Sequence, residues 1–263
     1  MAIITLTTDW GTKDYYIAIV KGIIYTQIPD AKIVDISHDI SPFDYLEAQH
    51  VIKNAYPYFP PKTVHLIGLE TNSDKGNSNP IAINYKEQFF LGQDNGIFSL
   101  IFGELTDGIV EIEVSQLENK MFLVRDALLK AAIHLAKGGS IDDLGQKKNS
   151  IMQRMLPSPT FENNSIRGSV VYVDSFENIV TNISKELFDK VRNGRKFTIL
   201  LNHKYYIHRI STSYNDVGEA EILAYFNSEG YLEIAMNLGK TASMFNMDVH
   251  KPIRIEFDDN TNS

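Results

Sequence analysis

Between Ile3 and Lys137, short runs rich in β-branched residues alternate with segments of helical periodicity. Strands are expected at Ile3 to Thr7, Ile33 to Ile36, Val64 to Leu69, Ile81 to Tyr85 and Ile109 to Val114. Ile17, Val20, Ile23, Ile24 and Ile28 recur at helical spacing until Pro29 stops the run. A second helix fits between Pro42 and Pro57, with Tyr45, Ala48, Val51, Ile52 and Ala55 on its inner face. A third runs from about Asp126 to Lys137 and ends at Gly138 and Gly139. Strands separated by helices make βαβ units, so this half is expected to be α/β, a mostly parallel sheet flanked by helices on both faces.

The pattern changes after Lys147, where Pro157, Pro159 and the Asn163 to Ser165 stretch form a polar linker rich in breakers. Beyond it come short strand candidates at 169–173, 179–183, 197–201, 205–210, 221–226, 231–236 and 253–257, with turns between them. That rhythm predicts a smaller all-β barrel or sandwich. The expected division is an α/β domain over 1–160 and a β domain over 161–263. Composition supplies the material for both cores, with 43% hydrophobic residues in 263. The formal charge is −8 and the basic residues are scattered, which argues against a nucleic-acid or anionic-membrane surface. No apolar run approaches the ~18 residues of a membrane span. The absence of cysteine excludes disulfides, thiolate metal sites and a cysteine nucleophile. The Met-Ala-Ile-Ile start has no basic n-region, so the cytoplasm is the expected compartment.

The stretch from Ile4 to Asp14 carries the strongest chemical signal, because a β-rich run delivers Asp9 to a glycine-containing turn just before an amphipathic segment. In an open α/β sheet, loops at the carboxyl ends of strands line the binding crevice. A carboxylate there can accept two hydrogen bonds from a ribose diol. Asp is also a favoured helix N-cap, and both readings are open at this point.

Five further blocks follow in order: Ile36 to Asp44, Tyr58 to His65, Asp94-Asn-Gly96, Val173 to Asn182 and Asn227 to Ala235. With the Asp9-x-Gly-Thr-x-Asp14 block they resemble the S-adenosylmethionine hydroxide adenosyltransferases, relatives of the fluorinase and chlorinase enzymes. The resemblance extends from about Ile3 to about Phe257. It implies displacement of methionine from the 5′ carbon of S-adenosylmethionine by water, with no metal or redox cofactor. By the same resemblance Asp9 grips the ribose hydroxyls and Phe43 packs beside the sugar. Asp174 and Asn178 hold the amino-acid end, Asp174 pairing with the ammonium and Asn178 donating to the carboxylate. Ser228, with Glu229 beside it, meets that carboxylate, and Tyr214 stacks on adenine. These residue types also suit structural duties: Asp174 as a turn cap, Tyr214 as a cover for the barrel, Asn227 to Gly230 as a hairpin turn. The resemblance further implies a homotrimer, each site lying between the α/β domain of one subunit and the β domain of its neighbour.

The chain departs from the resembled pattern where the nucleophile is activated. Hydroxide-transferring members orient water with an Asp, an Arg and a His. Here the aspartate position is Glu70, the arginine falls near Ser78, and Leu123 stands where histidine is expected. Glu70 is then the candidate to polarise water, with Ser73 or Lys75 helping to position it. The halogenases' Tyr and Thr near the halide correspond to Glu70 and Ser73, and a carboxylate there would repel a halide. Three functions are compatible with this pattern: hydrolysis of S-adenosylmethionine to adenosine and methionine with altered or weak water activation, binding of S-adenosylmethionine or adenosine without catalysis, and transfer to another small nucleophile.

Overall fold

The computed structural model describes residues 2–69, 79–117, 122–202 and 205–258. It divides into two compact units, Met1–Leu156 and Pro157–Ser263. The first contains β1 (Ile3–Thr8), α1 (Tyr16–Gln27), β2 (Lys32–Ser37), α2 (Tyr45–Ala55), β3 (Val64–Gly68), β4 (Pro80–Tyr85), β5 (Gln88–Gln93), α3 (Ile97–Phe102), β6 (Ile109–Ile112), α4 (Leu129–Ala136) and β7 (Gly145–Lys148). Its seven strands lie in the order β2-β1-β3-β5-β4-β6-β7. β2, β1, β3 and β5 are mutually parallel, and β4 and β7 run against the rest, so the sheet is mixed but mostly of one direction.

Burial on both faces explains why β1, β3, β4 and β5 read as near-continuous apolar runs, whereas the edge strands β2 and β7 stay largely exposed. Successive side chains point to opposite faces. Leu66, Ala82 and Leu91 join a core with α1 and α4, whereas Ile67, Ile81, Ile83 and Phe90 join another with α2 and α3. Helix α2 begins at an Asp44 side chain that accepts from the N–H groups of Leu46 and Glu47. Helix α4 continues from a π-helical turn over Val124–Leu128. None of the described helices is long and apolar enough to cross a membrane.

The second unit contains β8 (Thr160–Glu162), β9 (Ser165–Val173), β10 (Ile179–Ser184), α5 (Lys185–Arg192), β11 (Phe197–Asn202), β12 (Tyr205–Ile207), β13 (Ile222–Phe226), β14 (Tyr231–Met236), α6 (Thr241–Phe245) and β15 (Pro252–Phe257). The path β12-β11-β15-β9-β10-β14-β13, with β8 added beside β9, is antiparallel throughout. The Ser211 N–H donates to the Ala224 carbonyl at 2.7 Å, which draws the segment after β12 onto β13 and curls the sheet towards a barrel. Its core, around Ile166, Phe188, Ile199, Leu232 and Ile234, belongs wholly to this unit.

One buried polar chain in the first unit makes stability depend on pH. His65 lies between Thr5 Oγ1 (2.7 Å from Nδ1) and Gln88 Oε1 (2.9 Å from Nε2), stacked on Phe90. Burial pushes its pKa down to about 4, with the Gln88 hydrogen bond opposing. The unfolded chain, with an ordinary histidine near 6.5, therefore binds the proton more readily than the folded one. The stabilisation is complete above about pH 6.5 and is lost as pH falls towards 4, by at most ~3 kcal/mol. Urea unfolding at pH 7 and pH 5 should show this loss. In His65→Gln, which takes up no proton there, the acid limb should be flatter than in the wild type.

Candidate functional site

Asp9 follows β1 directly, at the carboxyl end of that strand. It does not cap α1, whose N-cap is Tyr15 with no side-chain capping bond, so the N-cap reading of Asp9 is set aside. Its turn is held from β2's side. The His38 carbonyl accepts from the Gly11 N–H at 2.7 Å, and His38 Nδ1 lies 2.9 Å from Thr8 Oγ1. His38 Nε2 lies 3.0 Å from Asp35 Oδ1. The Ile36 to Asp44 block thus has a structural duty at the very turn that presents Asp9.

Asp9 and Phe43 line one recess, together with Ser41, Tyr45 and Leu69. Phe43 has φ of 66° and is 55% exposed. A bulky residue in the left-handed region costs roughly 1–3 kcal/mol unless its surroundings hold it there, and such outliers gather at ligand sites. Arg154, which the sequence did not single out, places its guanidinium 3.8 Å from the centre of the Tyr45 ring. The Asp94 to Gly96 block brings it there. Asp94 accepts from Lys148 Nζ at 2.6 Å and from the Met152 N–H at 2.7 Å, and Ser99 Oγ accepts from the Arg154 N–H at 2.9 Å. Gly96 has φ of 95°, and a Cβ there would come within 2.9 Å of Arg154 Cβ.

In the second unit Asp174, Asn178 and Tyr214 come together. Asp174 Oδ1 accepts from the N–H groups of Phe176 (2.9 Å) and Asn178 (2.7 Å), closing the loop between β9 and β10. Its Oδ2 accepts from Asn178 Nδ2 at 2.9 Å. The turn-capping duty of Asp174 is therefore real, and it leaves lone-pair capacity on Oδ2. Glu177 anchors the same loop to α6, accepting from Lys240 Nζ at 2.9 Å and the Ser243 N–H at 3.0 Å; hydrogen bonding from the Ser243 side chain first, then from Lys240 and the Ser243 backbone, holds its pKa down to about 2. Asn178 Nδ2 also donates to Tyr214 Oη at 3.2 Å, and Tyr214 Oη lies 3.1 Å from Tyr225 Oη. Tyr225 in turn donates to Glu233. Asn227 to Gly230 is a hairpin turn, Gly230 having φ of 79°. There the Ser228 hydroxyl donates to Glu229 Oε1 at 2.7 Å.

Sequence reading missed Tyr225 and Glu233. The available signal was a glutamate inside the otherwise apolar run of β14. Burial raises the pKa of Glu233; its hydrogen bonds from Tyr225 and Asn227 oppose this, and the charges of Asp174 and Glu229 add to it. Burial and the Glu233 acceptor likewise push the Tyr225 phenol up. Glu70, Ser73 and Lys75, with Ser78, lie outside the described residues. Leu123 is the residue immediately before the π-helical turn. Among the described residues no three His, Cys, Asp or Glu side chains are grouped as metal ligands would be.

Comparison with known proteins covers both units. Residues 4–145 match the SAM hydroxide adenosyltransferase N-terminal domain, and residues 168–254 match the C-terminal domain of the same family. The chain is 31% identical to the (R)-S-adenosyl-L-methionine hydrolase of Methanocaldococcus jannaschii, over 96% of this chain and 95% of that protein. It is 24% identical to the fluorinase of Actinopolyspora mzabensis, covering 96% of each. The crystal structure of an uncharacterized conserved protein from Thermotoga maritima superposes with a TM-score of 0.84 at 30% identity, covering 96% of this chain and 99% of that one. Matched along nearly its whole length and in both units, the chain belongs to the SAM hydroxide adenosyltransferase family.

Proposed function

We propose that this protein hydrolyses S-adenosyl-L-methionine at the 5′ carbon, giving adenosine and L-methionine, and that it takes the (R) epimer at sulfur. The observation that carries the reading is the full-length relation to the Methanocaldococcus jannaschii hydrolase. The water oxygen bonds to C5′ as the C5′–S bond breaks, and the electron pair stays on sulfur. The sulfonium leaves as a neutral thioether, so the leaving group needs no proton and the water must lose one. The protein's task is to align and partly desolvate that water opposite sulfur.

In this reading the first unit binds the nucleoside and the second holds the adenine and methionine ends. Asp9 and Phe43 take the ribose, Asp174 and Asn178 the amino-acid end, Ser228 and Glu229 its carboxylate side, and Tyr214 the adenine. Glu70 polarises the water with Ser73 or Lys75 beside it. The recess shared by Asp9 and Phe43 and the hydrogen-bonded Asp174, Asn178 and Tyr214 cluster support these placements. The reading includes a cytoplasmic location and a cyclic homotrimer with sites between subunits.

Incubating the wild type with each sulfonium epimer in ¹⁸O-water should yield adenosine labelled at the 5′ oxygen, faster from the (R) epimer. Binding without product would leave a binding protein, which Leu123 at the family's histidine position favours. A 5′-halogenated product with chloride or fluoride would assign a transferase. Light scattering at assay concentration should give the mass of a trimer; a monomer would remove the assembly.

A further inference from the structure

The sheet of the second unit has a polar ribbon on the face turned away from its core. Ala224, Leu232, Ile234 and Met236 belong to that core, and Tyr225 and Glu233 alternate with them, facing the other way. Tyr225 and Glu233 lie directly opposite each other on β13 and β14, in reach as a cross-strand pair. Glu233 is only 7% exposed although it carries a carboxylate. A buried acid of this kind is retained at a cost unless its oxygens are engaged. Both are: Tyr225 donates to Oε1, and Asn227 Nδ2 donates to Oε2 at 3.1 Å.

The direction of each bond in the chain follows from that acceptor. A carboxylate has no proton to give, so Tyr225 spends its hydroxyl hydrogen on Glu233 and offers its oxygen to Tyr214. Tyr214 then donates to Tyr225 and accepts from Asn178. At the far end Asp174 is again an acceptor, so the Asn178 NH₂ group faces it. Both N–H bonds of the Asn178 amide are thereby committed, one to Asp174 and one to Tyr214. What the amide offers a ligand is its carbonyl oxygen, in place of the N–H donation expected from sequence.

Building on the functional reading above, we propose that Glu233 is a positioning residue: through Tyr225 and Tyr214 it fixes the Asn178 amide so that Oδ1 reads an N–H donor of the substrate. Such a donor exists at two places on S-adenosylmethionine, the α-ammonium and the adenine amino group. Glu233 touches neither the reacting carbon nor the leaving sulfur; its influence is on affinity and ligand choice. Through Asn227 it also steadies the turn that carries Ser228, since Asn227 Oδ1 accepts from the Tyr231 N–H at 2.9 Å.

The test uses the full chain and Tyr225→Phe, which deletes the one hydroxyl that joins Tyr214 to Glu233 and keeps the ring. S-adenosylmethionine, adenosine, inosine and methionine are titrated by calorimetry, and kcat and KM are measured by adenosine release. KM for S-adenosylmethionine should rise about ten-fold with kcat within two-fold, as expected when a polar contact used in binding loosens. If Oδ1 reads the adenine amine, the preference for adenosine over inosine shrinks in the variant. If it reads the ammonium, methionine and S-adenosylmethionine weaken while adenosine does not. Glu233→Gln, which keeps an acceptor for Tyr225, should fall between the wild type and Glu233→Leu. Unchanged affinities in Tyr225→Phe, or an equal loss for all four ligands with a lowered melting temperature, would overturn the assignment alone. A wild type that binds neither S-adenosylmethionine nor adenosine would overturn the functional reading and the assignment with it.

Discussion

Asp174→Ala is expected to weaken S-adenosylmethionine by ~10- to 100-fold while leaving adenosine much less affected, because adenosine lacks the ammonium that the carboxylate is proposed to pair with. Asp9→Ala should weaken both ligands, since both carry the ribose diol. The alanine at 174 also releases the Phe176 and Asn178 N–H groups, which opens the loop. Asp174→Asn divides the two effects in part: its amide oxygen can still cap the turn, while the charge is gone and the Oδ2 acceptor of Asn178 Nδ2 becomes a donor. Calorimetry on the three variants decides the placement: if Asp9→Ala and Asp174→Ala both left both affinities unchanged, the ligand would lie elsewhere.

Glu70→Gln should lower adenosine formation by ~10²-fold or more with S-adenosylmethionine affinity retained, if Glu70 makes the oriented polar contact to the attacking water proposed above. Glu70 follows Leu69 in the chain, and Leu69 lines the recess shared by Asp9 and Phe43. The wild-type rate itself should be slow relative to family members that carry the Asp, Arg and His set, since a longer acid and a flexible lysine do not restore that geometry. Leu123→His with Ser78→Arg should raise it. Equal, robust rates for wild type and Glu70→Gln by chromatography would sink this mechanism.

Much of the fold was legible because burial imposes periodicity. α1 and α2 carry their apolar residues at helical spacing, and the inner strands β1, β3, β4 and β5 are buried on both faces. β5 escaped notice because the hairpin joining it to β4 turns on Lys86 and Glu87, with φ of 49° and 61°, where Asn-Gly is the usual signature. α3 escaped because Ile97 to Ile101 are all buried, so no polar face marks the helical period. α5, capped by Ser184, was hidden in a rhythm of short strands, with only Phe188 and Val191 buried. At the site, isolated carboxylates and aromatics could be picked out by their motifs. Glu233 could not, because its meaning depends on standing across from Tyr225, and strand register is not written in either segment alone.

The left-handed backbone at Phe43 sets two selections against each other. Glycine adopts φ of 66° without the clash that a Cβ meets, so Phe43→Gly relieves about 1 kcal/mol of conformational strain at the rim of the recess. The same change removes the exposed ring proposed to rest against the sugar. Screening a library for heat resistance alone should therefore discard this phenylalanine early, and screening for substrate retention should keep restoring it.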